Sequence, residues 1–223
     1  MLARFITTLT TTALFSCMAT AIGLPGLAVA EDSGPELVRG EQLYALCTQC
    51  HGADGSGNQA ALAPAIAGLP AWYVKAQLEK FRAGIRGLHQ GDRGGLRMYP
   101  MSQWLRTEED REAVAAYVAS MKPTDTAETV AHSGDVARGQ GYYAVCSACH
   151  GMDAGGNPQM GAPPLVDLND WYLISSIEKY KSGIRGNGPG DTLGPAMIGM
   201  VATLPDDDAI RDVVAYIKSL KKK

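Results

Sequence analysis

Apolar side chains recur at helical spacing in six stretches, which fall into two sets of three. In the first half, Leu37, Leu43, Tyr44 and Leu46 mark a helix from near Pro35 into Cys47. A middle helix is predicted over 71–83. A closing helix follows from Thr107, with Val114, Tyr117, Val118 and Met121 on its apolar stripe. The second half repeats the plan with Val136, Tyr142, Tyr143 and Val145, then 171–182, then Val213, Val214, Tyr216, Ile217 and Leu220. Each middle helix stops at a glycine, Gly84 or Gly183, which ends a helix cheaply. Each closing helix opens on acids, Glu108-Glu109-Asp110 or Asp206-Asp207-Asp208, suited to the positive end of the helix dipole. Glycine- and proline-bearing stretches at 52–70, 84–104, 151–168 and 183–203 read as loops. No run alternates as a half-buried strand would, so the fold class is all-α.

The two sets are one pattern written twice at an offset of 99 residues. Arg39-Gly40 pairs with Arg138-Gly139, Trp72-Tyr73 with Trp171-Tyr172, and Gly84-Ile85-Arg86-Gly87 with Gly183-Ile184-Arg185-Gly186. Met98 pairs with Met197, and Tyr117 with Tyr216. The division that follows is a leader over 1–30, a module over 31–122, a linker over 123–134 and a second module over 135–223. The linker is polar and has no counterpart in the repeat.

The duplicated unit carries Cys47-Thr48-Gln49-Cys50-His51 and Cys146-Ser147-Ala148-Cys149-His150. C-x-x-C-H places two thiols to add across the vinyl groups of a haem and brings the next histidine under the iron. Two such motifs in register predict two covalently bound haem c groups. Cys47, Cys50, Cys146 and Cys149 are the attachment residues, and His51 and His150 are iron ligands. Of the five cysteines, the fifth is Cys17, so none is left for a disulfide or a catalytic thiol. A zinc site would need four ligands per unit, and no second Cys/His pair exists. Glycine-rich modules this small make a poor core, and a buried haem would staple each one.

A second iron ligand must come from elsewhere. The remaining histidines are His89 and His132, whose partners at the repeat offset are Gly188 and Ser33, so histidine does not serve two like sites. Methionine does. Met98 pairs with Met197, and Met101 with Met200. Composition alone does not choose between the two pairs.

The order C-x-x-C-H, Pro-containing loop, middle helix, G-x-R, Met, then Leu105 before an acidic helix start and Ala116-Tyr117 inside it, resembles class I cytochromes c. Its repeat ends on Leu204 and Ala215-Tyr216. The tandem form resembles the dihaem cytochrome c4 family. That resemblance implies two tandem class I cytochrome c domains, each a few helices around one haem. It favours Met98 and Met197 as ligands, since each stands seven residues before the Leu of the pattern. It also implies that Arg86 and Arg185 contact haem propionates, and that the carbonyls of Pro64 and Pro163 orient the ligand histidines. Trp72-Tyr73 and Trp171-Tyr172 would meet propionates, line the interface between modules or simply pack. Tyr117 and Tyr216 would sit between helices.

Two six-coordinate haems leave no open iron for a substrate. The chain therefore reads as a carrier of electrons between a respiratory donor and a terminal oxidase or reductase, with no catalytic residue and no small-molecule substrate. Its expected partners are redox proteins, among them membrane respiratory complexes. The alternatives are an electron-entry subunit of a larger redox enzyme and a dihaem peroxidase-type enzyme. His/Met ligation implies moderately positive potentials. Arg4 is the only charge in the first thirty residues, an apolar run follows it, and Ala28-Val29-Ala30 has the form of a cleavage site. This predicts a periplasmic protein exported by a cleaved signal, the alternatives being a membrane anchor or a lipid on Cys17. Without the leader the balance is 19 basic against 23 acidic residues, which gives no footing for nucleic acid. Finally, 88–93 carries both signs of charge while 187–192 has a single acid, so the first module is expected to show partners the more charged face.

Overall fold

Helix α1 (Pro35–Tyr44) lies directly against helix α5 (Glu108–Ser120). Gly40 makes this possible: a Cβ there would fall on the carbonyl oxygen of Ala113. The same crossing joins α6 (Val136–His150) to α9 (Asp207–Leu220), where Gly139 rests on the Asp212 carbonyl. In this computed structural model, residues 34–126, 129–130 and 133–220 are described. The leader with Cys17, the lysines at 221–223, and Ala127, Glu128, Ala131 and His132 of the connection lie outside them.

The other helices complete two like domains. The first adds α2 (Thr48–His51), α3 (Ala71–Arg82) and α4 (Arg93–Trp104); the second adds α7 (Asp170–Lys181) and α8 (Gly194–Val201). Among the described residues there is no strand, only the isolated bridges Asn58–Ala63 and Asn157–Ala162. The predicted ends hold: α3 stops before Gly84 and α7 before Gly183, whose φ angles of +71° and +70° suit glycine. At α5, Thr107 and Asp110 form a capping box, and the three acids fill the first turn. Two readings change. The first motif sits on its own short helix after a turn, whereas in the second domain one helix runs through it.

The methionine-bearing stretches are helices rather than loops. Asp92 caps α4 by accepting from Gly95 N at 3.0 Å, and Asp191 accepts from Gly194 N at 2.9 Å at the start of α8. Pro195 falls in the first turn of α8, where its missing N–H costs nothing. The capping aspartates outweigh the helix-breaking composition.

Each core closes around a buried tyrosine. The Tyr44 ring meets Tyr117 at 5.4 Å and the Tyr143 ring meets Tyr216 at 5.4 Å, both pairs tilted. Tyr44 packs with Leu78, Leu105, Val114 and Val118. The second core gathers Leu173, Ile210, Val213 and Val214, and it also takes in Leu69 of the first domain. Between the domains the chain is tied down: Thr126 is buried and accepts from Lys218, while Thr129 N and Val130 N donate to Asp170.

Candidate haem-binding sites

A cavity of about 410 Å³ opens beside the first motif. Its wall includes Cys47, Cys50, His51, Arg86, Met98 and Met101, among mostly apolar side chains. Trp171, Tyr172 and Lys179 of the second domain close one side of it.

His51 is buried and its Nδ1 lies 2.8 Å from the Pro64 carbonyl. A carbonyl only accepts, so Nδ1 carries the proton and Nε2 keeps its lone pair. His150 repeats this at 2.8 Å from Pro163 O. Burial lowers the pKa of both rings, against a smaller opposing effect of these hydrogen bonds, so both are neutral and able to ligate metal. The next residue along supplies a second fixing point: Tyr44 donates to Gly52 O at 2.9 Å and Tyr143 to Gly151 O at 2.8 Å. All four motif cysteines are partly buried and none is paired in a disulfide.

Met98 and Met101 both border the cavity, but differently. Met98 is half-buried and packs on the core that holds Leu105 and Val114, whereas Met101 is 42% exposed. Met197 is likewise half-buried and Met200 is 41% exposed.

The arginines of the two G-I-R-G runs meet where the domains touch. Arg86 donates to Gln77 Oε1 at 2.7 Å and across to Tyr172 Oη at 3.1 Å. Arg185 donates to Ser176 Oγ at 3.3 Å and across to the same Gln77 oxygen at 3.4 Å. Each guanidinium also stacks on its own domain's ring, Arg86 at 4.5 Å from Phe81 and Arg185 at 4.6 Å from Tyr180. Arg185 is buried among these neutral groups, and Arg86 Nε is buried without a hydrogen-bond partner. A buried guanidinium with neutral partners, beside a half-buried one with a buried spare donor, calls for an anion. An apolar chamber, a thiol pair, a neutral imidazole and facing guanidiniums fit a haem with its propionates.

Two ion pairs flank this cluster. Lys80 Nζ lies 2.7 Å from Asp191 Oδ1, and Lys179 Nζ lies 2.8 Å from Asp92 Oδ1. The expectation of a more charged outer face over 88–93 is therefore corrected in part: Asp92 is buried and spent on the second domain, though His89 and Arg93 remain exposed. Sequence reasoning missed these pairs and Gln77. A signal existed for the pairs, since Lys80 and Lys179, and Asp92 and Asp191, are each 99 residues apart. None existed for Gln77, whose counterpart is Ser176.

Two helical domains, each with C-x-x-C-H and a histidine held by a proline carbonyl, define a dihaem c-type cytochrome. The chain belongs to the cytochrome c family, whose model matches residues 37–122 and 136–221. It is 31% identical over 188 residues to a thiosulfate dehydrogenase electron acceptor of Stutzerimonas stutzeri, covering 79% of this chain and 80% of that one. It is 29% identical to cytochrome c4 of Azotobacter vinelandii, covering 89% and 94% of the two chains. The crystal structure of reduced cytochrome c4 from Pseudomonas stutzeri superposes with a TM-score of 0.65 at 28% identity, over 82% of this chain and 97% of that one. Within the family it is a dihaem electron carrier of the cytochrome c4 kind, with two covalently bound haem c groups.

Proposed function

We propose that Cys47 and Cys50 hold the first haem and Cys146 and Cys149 the second, that His51 with Met98 and His150 with Met197 ligate the two irons, and that Arg86 and Arg185 bind propionates. The observation that carries this reading is the duplicated clamp of His51 on Pro64 and His150 on Pro163. It leaves one imidazole nitrogen in each domain unengaged by that bond and aligned by the chain. Bound haem supplies a one-electron couple between ferric and ferrous iron.

The protein's own residues set the conditions for that couple. The proline carbonyls fix tautomer and ring orientation. A thioether sulfur favours the reduced metal and raises the potential. The apolar cavity wall keeps water away, and the arginines offset propionate charge. With His51 and Met98, and His150 and Met197, each holding an iron, no ligand position would be left for a substrate, which supports transfer of electrons rather than catalysis.

In this reading the protein is exported to the periplasm and passes electrons from a redox donor to a terminal oxidase or reductase. Among the described residues no helix is long and apolar enough to cross a membrane. A second reading, an electron-accepting subunit serving a larger redox enzyme, is favoured by the similarity to a thiosulfate dehydrogenase electron acceptor. The ligand assignment is tested by the methionine–iron charge-transfer absorption of the ferric protein. Met98→Ala and Met197→Ala should each remove half of it, and Met101→Ala none. Loss on Met101→Ala with retention on Met98→Ala reverses the assignment.

A further inference from the structure

Lys80 and Lys179 sit in the last turns of α3 and α7, and each crosses to the other domain. What they meet there is specific. Asp92 accepts from Lys179 and, through the same Oδ1, from Gly95 N at the start of α4, the helix that carries Met98. Asp191 accepts from Lys80 and, again through Oδ1, from Gly194 N and Leu193 N at the start of α8, the helix that carries Met197. One carboxylate oxygen thus joins a helix cap in its own domain to a lysine of the other.

The surroundings make the link stiff. The Asp92 side chain is 2% exposed and Asp191 5%, so neither exchanges its lysine for water at low cost. Gly95 and Gly194 leave no room for another arrangement: a Cβ on either would fall against the capping carboxylate and on the Gly87 or Gly186 backbone. The lysine ends are held too. Arg86 N donates to Lys80 O at 3.1 Å and Arg185 N to Lys179 O at 3.0 Å, tying each lysine's turn to the arginine at the domain contact. The neighbouring last-turn cations, Arg82 and Lys181, bond the Leu105 and Leu204 carbonyls of their own domains instead. Of the repeated cations on these turns, the pair at 80 and 179 spans the interface.

We propose that Lys80 and Lys179 are positioning residues that act in trans: Lys179 steadies the Met98 helix of the first domain, and Lys80 the Met197 helix of the second. Each methionine-bearing helix is thereby steadied from the opposite domain, each through its own lysine. The inference rests on Met98 and Met197 being the ligands.

The test uses the full holoprotein in the ferric state and the strongly shifted NMR methyl signal of each iron-bound methionine. Met98→Ala and Met197→Ala assign the two signals; if either variant keeps its signal, the ligand reading fails irrespective of the lysines. With the signals assigned, Lys179→Gln should lower severalfold the stability of the Met98 signal to guanidinium and leave the Met197 signal in place. Lys80→Gln should do the reverse, and Lys179→Arg, which keeps the charge, should retain most of the native behaviour. Asp92→Asn, which preserves a good cap but removes the ion pair, should match Lys179→Gln and serves where that variant folds poorly. Equal changes in both signals, no change in either, or a change confined to the lysine's own domain would overturn the proposal.

Discussion

The Lys179 ammonium of the second domain lies 2.8 Å from the carboxylate of Asp92 in the first, at a residue that also caps the helix bearing Met98. With its counterpart, Lys80 and Asp191 at 2.7 Å, it makes the contact between the domains self-complementary, each contributing one lysine and one aspartate. Burial by itself would push the Asp92 and Asp191 carboxyls up. The facing lysines and the backbone N–H groups of the caps outweigh it and hold both below the usual carboxylate range.

Lowered folded-state values mean stabilisation that is complete above the ordinary aspartate pKa, about 3.9, and is lost as pH falls through the folded values. Calorimetry between pH 6 and pH 3 should therefore show the two domains uncoupling only at the acid end, while neutral to mildly alkaline solutions leave the contact intact. Replacing Lys179 by Ala at pH 7 would strand a buried carboxylate and should cost about 3 kcal/mol. A cost near zero would place Asp92 in water.

The repeat offset made most of this architecture legible in the sequence. Glycine stops, acidic starts and apolar stripes located α3, α5, α7 and α9 because those signals act within one helical turn. Cys47, Cys50 and His51 stood out because C-x-x-C-H is a run of neighbours along the chain, and the same residues line one cavity. What escaped was decided elsewhere. Helix α4 contains Gly94, Gly95 and Pro100, so local propensity argued for a loop; Asp92, a cap that looks like any loop acid, decided otherwise. Gln77 escaped because its role depends on Arg185, which lies 108 residues away.

Gly40 and Gly139 should be intolerant positions. Gly40→Ala would drive a methyl into the Ala113 carbonyl, and separating α1 from α5 should cost roughly 1–3 kcal/mol, as overpacking does. Guanidinium unfolding of the holoprotein should register that loss for Gly40→Ala, whereas Gly141→Ala, inside α6 with open space around it, should raise the midpoint slightly.

Tyr44→Phe removes a single oxygen from a buried bond to Gly52 O, the carbonyl next to His51. The expected loss is about 1 kcal/mol, with the haem spectrum retained, since the His51 clamp on Pro64 is untouched. Tyr143→Phe should behave alike. A changed ligand-field spectrum in either variant would show that the hydroxyl, and not the proline carbonyl, orients the histidine.

A large chamber at the centre of a small domain also makes folding depend on what fills it. The chain with Cys47, Cys50, Cys146 and Cys149 all changed to Ala should show no cooperative thermal transition by circular dichroism. A sharp transition would mean that the helices close their core unaided.

The central claim is that each iron is held on both faces by the protein, so that electrons pass but substrates do not bind. The visible spectrum of the dithionite-reduced holoprotein, recorded before and after carbon monoxide, tests it most directly. An unchanged spectrum is the predicted result, both irons keeping their methionines. A shift amounting to one haem's absorbance would contradict it, marking an open or labile iron and a protein built for ligand chemistry.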